Sequence, residues 1–128
     1  MKFIKRIYYH DTDCGGVVYY ANYLKFFEEA RTEYLRAKGI DLEKLSRQGI
    51  LFVVKEVSIG YKAPARYADN LEITTKIEQQ KKASLLFLQE AYRDAVLLVT
   101  AKTTLVCVNC DFHPIIIPPE CSSSLVPE

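Results

Sequence analysis

An α+β fold is predicted by three features: one stretch of helical periodicity near the N-terminus, four β-rich runs after it, and a length that holds one core. A chain of 128 residues has room for one domain of ordinary size. With 49% hydrophobic and 26% charged residues it is richer in apolar groups than disordered chains and richer in charge than membrane ones. The domain is expected over residues 1–118, followed by a Pro/Ser-rich tail over 119–128 that is mobile beyond Cys121.

Residues 2–9 (KFIKRIYY) mix β-branched and aromatic residues with charges, which predicts a strand. Asp11 to Gly16 brings Asp, Thr, Asp and two consecutive glycines, the residues of turns. From Tyr23 the period becomes helical. Tyr23, Phe26, Phe27, Ala30, Tyr34 and Ala37 form one apolar stripe, and Gly39 stands where a C-terminal cap belongs. Lys25, Glu28, Glu29, Arg31, Thr32, Glu33 and Arg36 fall on the opposite side, giving one helix of about sixteen residues. Asp41 can cap a short second helix through Gln48, ended by Gly49. Residues 51–62, 70–80, 83–93 and 95–109 are the β-rich runs, divided by Ala63-Pro64-Ala65, by Lys81-Lys82 and by Asp94. Leu71 to Ile77 alternates apolar and polar, as a half-exposed strand does. This order makes the sheet largely antiparallel, with a helix on one face. There is no internal repeat.

Seventeen Lys+Arg against 16 Asp+Glu give a formal charge of +1. No general field therefore draws the chain to nucleic acid or to an anionic membrane, and any anion must be met locally. No run approaches the ~18 apolar residues of a membrane span, and the N-terminus lacks the apolar stretch of a signal peptide. A cytoplasmic protein is expected, with Cys14, Cys107, Cys110 and Cys121 as reduced thiols. Cys107 and Cys110 have a metal-like spacing, but no second pair accompanies them, and in a strand residues three apart point to opposite faces. No metal is expected.

The candidate chemistry lies in Asp11-Thr12-Asp13-Cys14-Gly15-Gly16-Val17-Val18-Tyr19-Tyr20-Ala21-Asn22-Tyr23. Two carboxylates and two glycines stand directly before the one long helix. A helix start exposes unpaired N–H groups and partial positive charge, so it can hold an oxygen that gains charge during a reaction. A carboxylate opposite it can attack a polarised carbonyl or direct water at one. A calcium loop is a poor alternative, because its twelfth position would be Asn22 instead of a bidentate Glu. The glycines are too closely spaced for a phosphate loop or a dinucleotide fingerprint, and no G-x-S-x-G elbow exists. On spacing alone Asp13 reads as a turn aspartate or as a catalytic one. His10 reads as a strand-end histidine, Asp11 as a solvated loop acid, and Asn22 as a helix cap or as an orienting group. Lys81 and Lys82, followed by Ser84, form a basic turn between two long strands, which on its own is a solvated hairpin.

The segment Tyr9, Asp11-Thr12-Asp13, Gly16-Val17-Val18-Tyr19 and Asn22-Tyr23, continuing into Phe27-Glu28 and Ala30-Arg31, resembles the signature of the hot-dog-fold acyl-CoA thioesterases. The resemblance is to the YbgC-like branch, related to 4-hydroxybenzoyl-CoA thioesterase. Tyr61-Lys62-Ala63-Pro64-Ala65-Arg66-Tyr67-Ala68-Asp69 is similar to the family's second landmark, and the likeness covers residues 3 to about 118. It implies a long central helix wrapped by a five-stranded antiparallel sheet, two protomers joining their sheets with the site at their interface, and a dimer of dimers. It also implies hydrolysis of an acyl thioester, on coenzyme A or an acyl carrier protein, to a free acid and a thiol, without a cofactor.

By the same resemblance the catalytic carboxylate falls on Asp13, as nucleophile or as the base that directs water. The N–H that polarises the carbonyl falls on Tyr20. Related members often carry His there, a change that leaves a backbone role intact. Lys81, Lys82 and Ser84 would meet the phosphates of coenzyme A. The alternative is a non-catalytic acyl-thioester-binding or scaffolding module linked to cell-envelope or lipid-synthesis proteins. A carboxylate retained opposite a helix start favours the enzyme.

Overall fold

The computed structural model describes residues 2–128. In chain order it contains β1 (Lys2–Arg6), a 3-10 turn (Tyr9–Asp11), α1 (Asn22–Ala37), α2 (Leu42–Arg47), β2 (Leu51–Tyr61), β3 (Asn70–Gln80), β4 (Ser84–Arg93), β5 (Val96–Val108) and α3 (Pro119–Ser122). The five strands form one sheet in the order β1-β3-β4-β5-β2, and every neighbouring pair is antiparallel. The long helix packs against one face of the sheet, over β1 and β3, so the predicted α+β hot-dog architecture is the one observed. The first strand is shorter than residues 2–9 suggested, because Tyr9–Asp11 coil into a 3-10 turn.

The α1 stripe buries Tyr23, Phe26, Phe27, Ala30, Tyr34 and Leu35. Ala37, expected on that stripe, is exposed. Arg31, expected on the solvated side, is buried: it continues the i, i+4 row Phe27–Arg31–Leu35 at the edge of the stripe. Its Nη1 donates to Gln89 Oε1 at 3.0 Å, and the Gln89 Nε2 donates to the Phe27 carbonyl at 2.9 Å and to Thr75 Oγ1 at 3.0 Å. Burial pulls the Arg31 guanidinium down from its usual range, against the opposing pull of Glu28. This polar layer lies between two apolar clusters. One, around Ile7, Phe27, Leu71 and Leu98, underlies the start of α1; the other, around Tyr34, Ile77, Phe87 and Leu105, underlies its end.

Gly39, at φ +83°, closes α1 in the left-handed conformation that glycine adopts freely. Asp41 caps α2 by accepting from the Glu43 and Lys44 amides. No helix among the described residues is long and apolar enough to cross a membrane.

Residues 119–128, expected to be mobile beyond Cys121, pack onto the second cluster instead. Cys121 and Leu125 are buried, the Gln80 side chain donates to the Ser122 carbonyl, and the Glu128 N–H donates to the Ile77 carbonyl at 2.9 Å. The Tyr34 hydroxyl also bonds the Glu128 carboxylate. The Pro/Ser content hid this because the contacts come from isolated apolar residues set between the polar ones. Leu125→Ala should therefore cost about 2–4 kcal/mol of unfolding free energy in a denaturant titration, as for a buried leucine, where a mobile tail would cost nothing.

Candidate active site

Residues 11–19 form a small hairpin. Thr12 pairs with Val18, the Asp13 N–H donates to the Val17 carbonyl, and the Tyr19 N–H donates to the Asp11 carbonyl at 2.9 Å. Gly16, at φ +79°, makes the turn at its tip possible, and its N–H donates to the Asp13 carbonyl. The Asp13 side chain is exposed, with one carboxylate oxygen accepting the Gly15 N–H at 2.8 Å. A Cβ on Gly15 would lie 3.2 Å from that oxygen, so glycine also leaves the carboxylate room.

Asp11 is not a solvated loop acid. It is buried, and its carboxylate accepts the Tyr8 N–H at 2.9 Å, because the 3-10 turn folds the side chain back on its own backbone. His10 stands exposed on that turn, with Nε2 3.5 Å from Asp11 Oδ1. Asn22 is not the cap of α1: it is the first helical residue, and its Nδ2 donates to the Asp11 carbonyl at 2.9 Å, tying the helix start to the hairpin. The capping position falls on Ala21, which offers no side-chain acceptor. Among the described residues, no backbone or side-chain acceptor in the chain receives the Tyr20 N–H.

The second landmark is paired to the first through the backbone. Val17 bridges to Arg66, the Val18 N–H donates to the Ala65 carbonyl at 2.8 Å, and the Tyr9 and Tyr67 rings stack with centroids 3.8 Å apart. Asp69 anchors this loop by accepting the Arg66 N–H and Arg93 Nη1, each at 2.8 Å. Burial raises the Asp69 carboxyl, but the Arg66 amide and the Arg93 guanidinium outweigh it, and the net shift is downward. Between the landmarks a cavity of about 300 Å³ is lined by Val18, Tyr20, Tyr23, Tyr61 and the Lys62–Pro64 turn. The Tyr61 hydroxyl at its wall donates to the Tyr20 carbonyl at 3.0 Å.

Lys81 and Ser84 line a different cavity, of about 180 Å³, with Lys55, Glu56 and Gln79. It opens on the face of the sheet away from α1, since Thr104 in its floor alternates with the buried Thr103 and Leu105. Lys82 stands on the same turn, exposed and outside that lining. Lys55 was missed in the sequence, where it reads as an ordinary strand cation; a bulge at Val54/Glu56 breaks the β2–β5 register around it. This turn and the Asp13 hairpin lie at opposite ends of the sheet. Ile7 pairs beside Asp69 and β4 ends at Arg93 near the hairpin, whereas Ser84 begins β4, ten residues or about 30 Å away.

The thioesterase-like superfamily profile matches residues 8–125. The acyl-CoA thioesterase YbgC of Haemophilus influenzae is 42% identical over 90% of this chain and 86% of its own length. The acyl-CoA thioester hydrolase YbgC of Escherichia coli is 44% identical over 81% of this chain and 78% of its own. The crystal structure of a probable thioesterase from Bartonella henselae superposes with a TM-score of 0.88 at 35% identity, covering 92% of this chain and 98% of that one. The fold, the paired landmarks and these likenesses agree: the chain belongs to the thioesterase-like superfamily, as a hot-dog acyl-CoA thioesterase of the YbgC type.

Proposed function

We propose that Asp13 and the Tyr20 amide together carry the hydrolysis of acyl-CoA thioesters to a free acid and coenzyme A. Membership of the superfamily, with 42% and 44% identity to an acyl-CoA thioesterase and an acyl-CoA thioester hydrolase, supports the activity. The assignment of residues rests on one observation: among the described residues the Tyr20 N–H has no partner, at a helix start without a side-chain cap, joined to the hairpin that holds the Asp13 carboxylate.

The carboxylate takes a proton from water as the water oxygen bonds to the carbonyl carbon, or it attacks that carbon itself. Either way the C=O electron pair moves onto oxygen. The Tyr20 N–H meets this oxygen more strongly as it becomes charged, and that difference lowers the barrier. Collapse expels the thiolate of coenzyme A, which takes up the proton held by Asp13 on the water route and, on the direct route, a proton of the water that later opens the anhydride. On the direct route water then opens the acyl–Asp13 anhydride, with the same balance of acid and thiol. Asn22 contributes by fixing the hairpin to the helix start.

Lys81, Lys82 and Ser84 are assigned to the phosphates of the coenzyme. Within one chain they stand too far from Asp13, so the reading requires a second copy. β2 is an open edge of eleven residues, with Val54 and Val57 exposed along it, and open edges pair. Two-fold antiparallel pairing of β2 with its counterpart carries the partner's basic turn to this chain's Asp13 end, and joining two such pairs gives the dimer of dimers.

Asp13→Asn should lower kcat for thiol release across a panel of acyl-CoAs by at least ~10²-fold, with folding and oligomer unchanged; retention of more than about a third of kcat would defeat the assignment. Lys81→Ala/Lys82→Ala should raise KM several-fold, leave kcat nearly intact and flatten the salt dependence of kcat/KM. Mixed dimers of these two variants test the shared site. If each site takes Asp13 from one copy and the lysines from the other, one site of the mixed dimer is wild type, giving half the wild-type kcat with wild-type KM. Sites built within one chain would leave no wild-type site.

A further inference from the structure

Tyr20 lies between the hairpin and α1, where neither a strand nor a helix fixes its backbone. Its neighbour Tyr19 is held by the bond from its N–H to the Asp11 carbonyl at 2.9 Å. On the other side, among the described residues, the Tyr20 carbonyl accepts one side-chain hydrogen bond, from the Tyr61 hydroxyl, 3.0 Å away and forty-one residues along the chain. Tyr61 is the last residue of β2 and pairs with Val99, so its backbone is set by the sheet. Its ring meets Tyr20 edge-on, with centroids 6.2 Å apart at 82°, and Tyr23 with centroids 5.8 Å apart at 61°.

We propose that the Tyr61 hydroxyl is a positioning group for the oxyanion donor: by gripping the Tyr20 carbonyl from the rigid end of β2, it aims the Tyr20 N–H at the reacting thioester. The role rests on the reading of Tyr20 given above. The carbonyl belongs to the peptide after Tyr20 and the N–H to the peptide before it, so the bond acts on the dihedral angles of the residue and not by polarising the donor. A donor already aimed needs no reorganisation as charge develops, which is the condition under which such donors are most effective. Because Tyr61 touches backbone, a Tyr or a His at position 20 would be positioned equally. Burial, and next the neighbouring Tyr20 phenol, push the Tyr61 phenol up, which keeps it a donor in alkaline solution.

Tyr61→Phe removes only the hydroxyl. In the full-length enzyme, thiol release from acyl-CoA should then show kcat lowered about 5–10-fold with KM within about twofold of wild type, and an unchanged unfolding midpoint. A kcat within about twofold of wild type overturns the proposal, as does a raised KM with intact kcat, which would make Tyr61 a contact to the substrate. A more acidic ring-fluorinated tyrosine at position 61 keeps the ring and the hydroxyl, so it tests the same bond even where the phenylalanine variant folds poorly. Its kcat should fall as the analogue's own phenol ionises and the donor is lost; a pH profile identical to wild type overturns the role. Loss of activity in Asp13→Asn beside a wild-type Tyr61→Phe would leave the site intact and remove only this inference. Full activity in Asp13→Asn would instead remove the site itself.

Discussion

The backbone pairing of Val17 and Val18 with Arg66 and Ala65 is the constraint on which the rest of the site depends. A loop with two consecutive glycines has many conformations to lose, and short local bonds alone do not hold it in one. Pairing with a segment nearly fifty residues away turns the loop into a rung of the fold. That segment is itself held at Asp69, whose carboxylate takes both the Arg66 amide and the Arg93 guanidinium. The chain of support thus runs from β4 through Arg93 and Asp69 to residues 65–66, and from there to the hairpin that carries Asp13.

Much of this frame was legible in the sequence because it follows from periodicity. The bounds of α1 and β3 and the division into four later strands are fixed by where apolar residues recur and where Gly, Pro and Asp interrupt them. What was not legible depends on contacts between distant residues. Arg31 reads as a surface cation until Gln89, fifty-eight positions away, is placed beneath it. Asp11 and Asn22 read as loop acid and cap, but the 3-10 turn redirects the first carboxylate and brings the Asp11 carbonyl within reach of the second side chain. Lys55 becomes a neighbour of Lys81 only because a bulge breaks the register of β2, and a bulge leaves no mark in composition. The tail misled for the opposite reason: its Pro and Ser content described most of its residues but not Leu125, which buries it.

The polar layer of Arg31, Gln89 and Thr75 divides the space under α1 into two apolar clusters, each with its own task. The cluster at the helix start carries the candidate site, and the other receives the C-terminal segment. Such a layer adds less to stability than apolar packing of the same volume, since burying the guanidinium is costly. It fixes one geometry in return: Gln89 reaches the Phe27 carbonyl, so α1 cannot slide or rotate on the sheet without breaking that bond. The layer holds α1 at Phe27 and Arg31, within the first three turns after Asn22, so the register of the helix start on the sheet is fixed from close by.

The near-zero net charge and the antiparallel sheet bear jointly on how an anionic substrate is met. With a formal charge of +1 there is no field to collect a coenzyme ester from a distance, so its phosphates need cations brought together at one place. Lys55 and Lys81 line one cavity with Ser84 and with Glu56. An antiparallel sheet gathers its hairpin turns at its two ends, and this one separates the basic turn from the Asp13 hairpin by the length of β4. A monomer could unite them only by bending the sheet. The proposed antiparallel pairing across β2 would unite them without bending the sheet, since it would set the start of one copy's β2 beside the end of the other's, and it would cover the exposed edge in the same step.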